Sequence, residues 1–142
     1  VNIMKKVTVL IIDDDSSFCE IMAEMLVLRF KDSIEIVCAK NKEEYQELKH
    51  ENFDICVVDN FINGTPVAKE IIEDIKECKP LVLIYVATGY ASYEVLKSLI
   101  NSGINGFLEK NELNFNLIIS KIEEIQNTEA KLEEIKRKIS NI

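Results

Sequence analysis

The chain has 142 residues, 47% hydrophobic and 30% charged, with 4 Gly and 2 Pro. That is one domain's worth of chain with room for a real core, and it excludes collagenous, low-complexity and disordered classes. The formal charge of −8 opposes a surface built to bind a polyanion, because phosphate contacts come mainly from Lys and Arg; neither nucleic acid nor an anionic membrane is an expected partner.

The longest apolar runs, Val9 to Ile12 and Leu81 to Ala87, are strand-sized and far short of the ~20 residues that span a bilayer. The first residues carry no signal-peptide pattern, so a cytoplasmic location is expected. Cys19, Cys38, Cys56 and Cys78 stand apart, without a Cys-x-x-Cys pair, and read as reduced, buried structural thiols. The single histidine, His50, removes His-rich metal sites and belongs at the polar end of a surface helix.

Val7 to Ile12 is a continuous apolar and β-branched run followed by Asp13, Asp14, Asp15, Ser16 and Ser17. This predicts a strand buried on both faces, feeding a helix over 17–30 that opens on Ser17 with Glu20 three residues on. That helix should bury Phe18, Ile21, Met22, Met25 and Leu26. Ile34 to Ala39 is a second strand, and Asn41 with Glu44 opens a short helix running to about Glu51. Phe53 to Val58 is a third strand ending at Asp59. After the loop Asn60 to Gly64, Thr65 and Pro66 suit the N-cap and first position of a helix reaching Cys78. A fourth strand over 81–87, a helix over 91–102 and a fifth strand within 103–109 follow, and Asn111 suits the cap of the last helix. Strands alternating with helices predict right-handed crossovers and a doubly wound α/β fold, its parallel sheet covered on both faces.

From Glu112 to Ile142 there is no Pro or Gly, so one helix of about 46 Å is expected, more than a domain face consumes. Ile125, Thr128, Leu132, Ile135, Ile139 and Ile142 alternate in spacings of three and four, a heptad seam of about two and a half repeats. In a parallel pair Lys131 would meet Lys136 of the other helix, which opposes the simplest dimer. The alternative is a solvated amphipathic helix with Glu133–Arg137 and Glu134–Lys138 pairs.

Ligands of open parallel sheets lie beyond the carboxyl ends of the strands. At those ends stand Asp13 and Asp14, Asp59, Thr88 and Lys110. Converging carboxylates repel unless a cation is present, and oxygen-rich ligation with open water positions suits Mg²⁺. A phosphoryl group needs mainly positioning and charge stabilisation, which a metal, a lysine and a hydroxyl supply.

The segments VLIIDDDSS, FDICVVDNF, LIYVATGYAS and INGFLEKN, with 45 residues from Asp14 to Asp59, 29 to Thr88 and 22 more to Lys110, resemble receiver domains of bacterial two-component response regulators, of the kind typified by the chemotaxis response regulator. The resemblance spans about Lys6 to Gln126 and implies a (βα)5 flavodoxin-like fold of strand order 2-1-3-4-5. It makes residues 1–126 the receiver domain and 127–142 a helical extension. It also implies Asp59 as phosphoacceptor, Asp13, Asp14, Asp59 and the Phe61 carbonyl as Mg²⁺ ligands, and Lys110 and Thr88 as partners of the phosphoryl group. Phe107 would be the switch aromatic that remodels the face of the fourth helix, fifth strand and fifth helix. Implied partners are a sensor histidine kinase or phosphotransfer protein and a second copy, through that face or the C-terminal helix.

Several positions depart from the family pattern. Asn111 stands where many members have proline, the loop after Asp59 is short with Gly64 in the glycine role, and Phe107 replaces a frequent tyrosine. Phe61 and Tyr90 flank the phosphoacceptor, and two large aromatics there predict slow attack by water and a long-lived phosphorylated form. Three other readings stay open. One is a haloacid-dehalogenase-like phosphatase using Asp13 as nucleophile and Asp15 as acid; another is a flavodoxin-type FMN binder, which the aspartates oppose; the third is a receiver-like interaction module that is never phosphorylated. With only about 16 residues after residue 126, the chain either acts by docking or leads into an effector.

Overall fold

The computed structural model describes residues 4–62, 64–89, 92–110 and 115–142. Asn111, the expected cap, and Tyr90, the second flanking aromatic, lie outside them. The elements in chain order are β1 (Val7–Ile12), α1 (Ser16–Phe30), a 3-10 turn (Lys31–Ser33), β2 (Ile34–Ala39), α2 (Lys42–Leu48), β3 (Ile55–Asp59), β4 (Phe61–Ile62), β5 (Thr65–Pro66), α3 (Ala68–Cys78), β6 (Leu83–Thr88), α4 (Tyr93–Asn101), β7 (Gly106–Glu109) and α5 (Asn116–Ser140).

Five strands form one sheet in the order β2-β1-β3-β6-β7, with every neighbouring pair parallel. Counting the sheet strands alone, this is the order 2-1-3-4-5 of a doubly wound flavodoxin-like fold, with helices on both sides. The pleat divides the core. Val7, Val9 and Ile11 of β1, Ile55 and Val57 of β3, and Tyr85 and Ala87 of β6 pack against α1 and α5. Leu10, Ile12, Cys56, Val58, Ile84 and Val86 point to the other face, under α2, α3 and α4. Both faces of the central strands are therefore apolar, which is why those strands read as unbroken hydrophobic runs rather than alternations.

Helix entries depart from expectation in three places. Asp15, not Ser17, caps α1: its carboxylate accepts from Ser17 N (3.0 Å) and Phe18 N (3.3 Å), so the helix begins one residue earlier than expected. Cys19 is buried on that helix, whereas Met25 is exposed. Thr65 and Pro66 do not open α3; they pair antiparallel with Ile62 and Phe61. Gly64 turns that hairpin at φ +77°, a conformation that favours glycine, and α3 starts at Ala68 without a side-chain cap. The last helix starts at Asn116, without a side-chain cap from Phe115, whose ring is buried. By contrast Asn41 caps α2 as expected, its Oδ1 accepting from Glu44 N (2.8 Å), while Glu44 Oε2 accepts from the N–H of the preceding residue, Lys40 (2.5 Å).

Strand β6 begins at Leu83 rather than Leu81, which is 94% exposed. Cys19 and Cys56 are buried but Cys38 and Cys78 are exposed, because Cys38 sits on the edge strand and Cys78 ends a surface helix. His50 is exposed just beyond α2. On α5, Glu134 pairs with Lys138 (3.2 Å) as expected, but Glu133 reaches Lys136 (3.6 Å) rather than Arg137. Ile118, Ile122 and Gln126 are the buried residues of α5, and every residue from Lys131 onward is exposed. No helix among the described residues is long and apolar enough to cross a membrane.

Candidate functional site

The site is assembled by strand ends. Asp13 follows β1 and is anchored by its own N–H donating to Ala39 O (2.9 Å), so its carboxylate stands at the carboxyl end of the sheet, buried to 1% exposure. Its Oδ1 accepts from Asp15 N (2.9 Å). Asp59 ends β3, the adjacent strand, where Ile12 is opposite Val58, and its Oδ1 accepts from Phe61 N (3.2 Å). Lys110 follows β7 at the far side of the sheet and reaches back, placing Nζ 2.7 Å from Asp13 Oδ2 and 3.1 Å from Asp59 Oδ2. One carboxylate oxygen from each of Asp13, Asp14 and Asp59 lies within 4.8 Å of the others.

The electrostatics follow from burial and crowding. Burial pushes the Asp13 carboxyl up to about 6; the Lys110 ammonium and the Asp15 N–H pull it down, while the Asp59 charge adds to the rise. Burial lowers Lys110, but its ion pairs with the two carboxylates outweigh this and the net direction is up. Lys110 thus serves as the counter-ion of the acidic cluster. Asp13 Oδ2 is buried without an aligned hydrogen bond among the described residues, so the lysine contact is a close ion pair and the oxygen keeps acceptor capacity. A hard divalent cation suits that donor set, which is all carboxylate, partly exposed and closely spaced.

Thr88, half-buried, ends β6 opposite Glu109, one residue beyond Ala87, the partner of Asp59. Phe107 is opposite Val86 and half-buried against the core of the α2–α4 face. The fold therefore brings Asp13, Asp14, Asp59 and Lys110 into one cluster, sets Thr88 on the neighbouring strand end, and places Phe107 on the sheet face away from α1 and α5. The Phe61 side chain is 44% exposed beside Asp59.

One contributor was not expected at the site. Phe18, read only as core, lies under the lysine, with Lys110 Nζ 4.8 Å from its ring centroid; its ring meets Phe115 edge-on at 5.9 Å. Its place near the start of α1, just after the acidic run, was the available signal. Asp15, the acid that the phosphatase reading requires, is committed to the N-terminus of α1.

Comparison with known proteins agrees with this arrangement. The family model for the response regulator receiver domain matches residues 9–134. A cyclic di-GMP phosphodiesterase of Thermotoga maritima is 32% identical over 115 residues, covering 81% of this chain but 30% of that protein; the chain thus spans under a third of this relative's length. A response regulator from Burkholderia pseudomallei, solved with a phosphorylated aspartic acid, a calcium ion and citrate, superposes with a TM-score of 0.71 at 26% identity, over 95% of this chain and 85% of that one. The beryllofluoride-activated NtrC4 receiver domain dimer gives 0.63 at 25% identity, over 85% and 97%. By its family match, its sheet order and its strand-end carboxylates, the chain belongs to the response regulator receiver domains of two-component systems.

Proposed function

We propose that this receiver domain is a phosphorylation-dependent switch that accepts a phosphoryl group on Asp59 from the phosphohistidine of a sensor histidine kinase or phosphotransfer protein. The observation that carries the reading is the convergence of Asp13, Asp14, Asp59 and Lys110 at the carboxyl ends of three strands. Receiver domains are signalling modules rather than conventional enzymes, so what changes is a contact surface.

A carboxylate oxygen of Asp59 attacks phosphorus, the P–N bond breaks with its electron pair returning to imidazole, and an acyl phosphate remains. Asp13, Asp14, Asp59 and the Phe61 carbonyl would hold Mg²⁺, which when bound neutralises charge on the phosphoryl oxygens. Lys110 exchanges its carboxylate contacts for a phosphoryl oxygen, and the Thr88 hydroxyl donates to another. Phe107, without a hydroxyl, responds through packing alone and alters the face made by α4, β7 and α5, which would bind the downstream partner or a second copy. A cytoplasmic location suits a kinase donor.

In this reading the receiver domain ends at Gln126, supported by its buried amide, which donates to Lys5 O (3.1 Å) and Ser33 Oγ (3.0 Å), and residues 127–142 are its extension, although the family match runs on to residue 134. The test is mass spectrometry after acetyl phosphate and Mg²⁺. The native chain should gain one phosphoryl group and Asp59→Asn none. An unmodified native chain would instead mark an interaction module that is never phosphorylated.

A further inference from the structure

The projecting part of α5 carries an apolar seam that nothing among the described residues covers: Leu132, Ile135, Ile139 and Ile142 are all exposed large hydrophobics. Their spacings of three and four continue from Ile125, which is half-buried against the core, so they extend one helix face outward from the domain. Ile125 also lines an apolar groove of about 550 Å³ with Phe53, Leu81 and Val82, and Leu81 is almost wholly exposed. Ile125 is thus the point that the seam and the groove share.

Charge placement decides what fits there. Glu123, Glu124, Glu129, Glu133 and Glu134 lie toward the domain, whereas Lys136, Arg137 and Lys138 lie toward the tip. In a parallel pair both flanking contacts are like-charged, Glu124 against Glu129 and Lys131 against Lys136. Reversing one helix about the point midway between Leu132 and Ile135 matches every seam position: Leu132 meets Ile135, Ile139 meets Thr128 and Ile142 meets Ile125, each twice. Glu129 then faces Lys136 of the second copy on both sides. The opposing contact, Lys131 against Lys138, is like-charged. Lys138 is engaged by Glu134 at 3.2 Å, as Lys136 is by Glu133 at 3.6 Å and Glu129 by Lys5 at 3.7 Å, so the antiparallel direction is favoured because it replaces the uniformly like-charged contacts of the parallel pair with a balanced set. The macrodipoles also oppose favourably in this direction.

We infer that two copies of this chain associate through an antiparallel pairing of their α5 extensions, each tip reaching the Leu81 groove at the other copy's domain edge. This interface needs neither phosphorylation nor metal and is separate from the α4-β7-α5 face, so it stands or falls independently of the proposed switch.

The test is sedimentation of the full chain, without phosphodonor or Mg²⁺, up to about millimolar concentration, the range of weak association. A monomer–dimer equilibrium is expected. Ile135→Glu should abolish it with helicity and thermal midpoint unchanged, since that side chain touches none of the core. Glu129→Lys and Lys136→Glu should each weaken it about five- to tenfold, because two contacts change sign together, and the double exchange should restore it. The sign separates orientations: in a parallel pair either reversal alone relieves a repulsion and tightens association. A strictly monomeric native chain, a dimer that survives Ile135→Glu, or tightening by a single reversal would each overturn the proposal.

Discussion

Asp13 is a buried carboxylate that the fold holds at a cost, and the sign of that cost can be measured. Its folded pKa, raised from 3.8 to about 6, means that the folded state binds the proton more tightly than the unfolded chain does. Its contribution to stability is therefore fully present below about pH 4 and lost as pH rises past about 6. Urea unfolding of the metal-free chain across this window should show the loss, and Asp13→Asn should remove it. Added Mg²⁺ should raise the melting temperature with the opposite trend, because protonation competes with the metal: strongly near pH 7.5, little near pH 5, and not in Asp13→Asn. Phe18 offers a second test at this scale. Replacing it with leucine keeps an apolar side chain but removes the ring beneath Lys110 and the edge contact with Phe115, at an expected cost of about 1–2 kcal/mol in urea unfolding. The exposed ring of Phe61 beside Asp59 gives a prediction about lifetime. If its ring hinders attacking water, Phe61→Ala should shorten the life of the phosphorylated form several-fold in a radiolabel chase.

Among the elements, α1 illustrates how a motif residue can serve structure. The third aspartate of the acidic run caps this helix through Ser17 N and Phe18 N. Asp15→Ala should cost about 1 kcal/mol, as lost N-caps do, while phosphorylation of Asp59 continues. Helix α5 has two energetic halves. Ile122 is fully buried between α5 and the sheet, so Ile122→Ala should cost about 2–5 kcal/mol. Ile135→Ala, outside the core, should leave the unfolding of dilute protein unchanged within about 0.5 kcal/mol. The extension therefore contributes surface rather than stability to the domain.

At the scale of the whole molecule, the sheet order is what makes the site. The acidic residues and Lys110 come from segments up to 97 positions apart in the chain, Asp13 to Lys110, and only the parallel arrangement β1-β3-β6-β7 aligns their strand ends. The three central strands were legible in the chain because each is buried on both faces, and helices α3 and α4 because each carries a 3.6-residue apolar stripe. The strand-end residues were legible for the same reason, since the end of an apolar run marks the end of a strand. Helix starts were not, because a cap depends on which of several adjacent polar side chains the backbone aims inward; Asp15 prevailed over Ser17, and Thr65 and Pro66 were drawn into a hairpin instead. Sequence patterning, then, sufficed for the class of fold and for the residue types that meet at its carboxyl edge. Tertiary packing alone decided that Lys110 pairs with both Asp13 and Asp59, that Phe18 lies under it, and that the α5 seam leaves the core after Ile125. Those outcomes depend on distances between elements remote in the chain, which local periodicity does not encode.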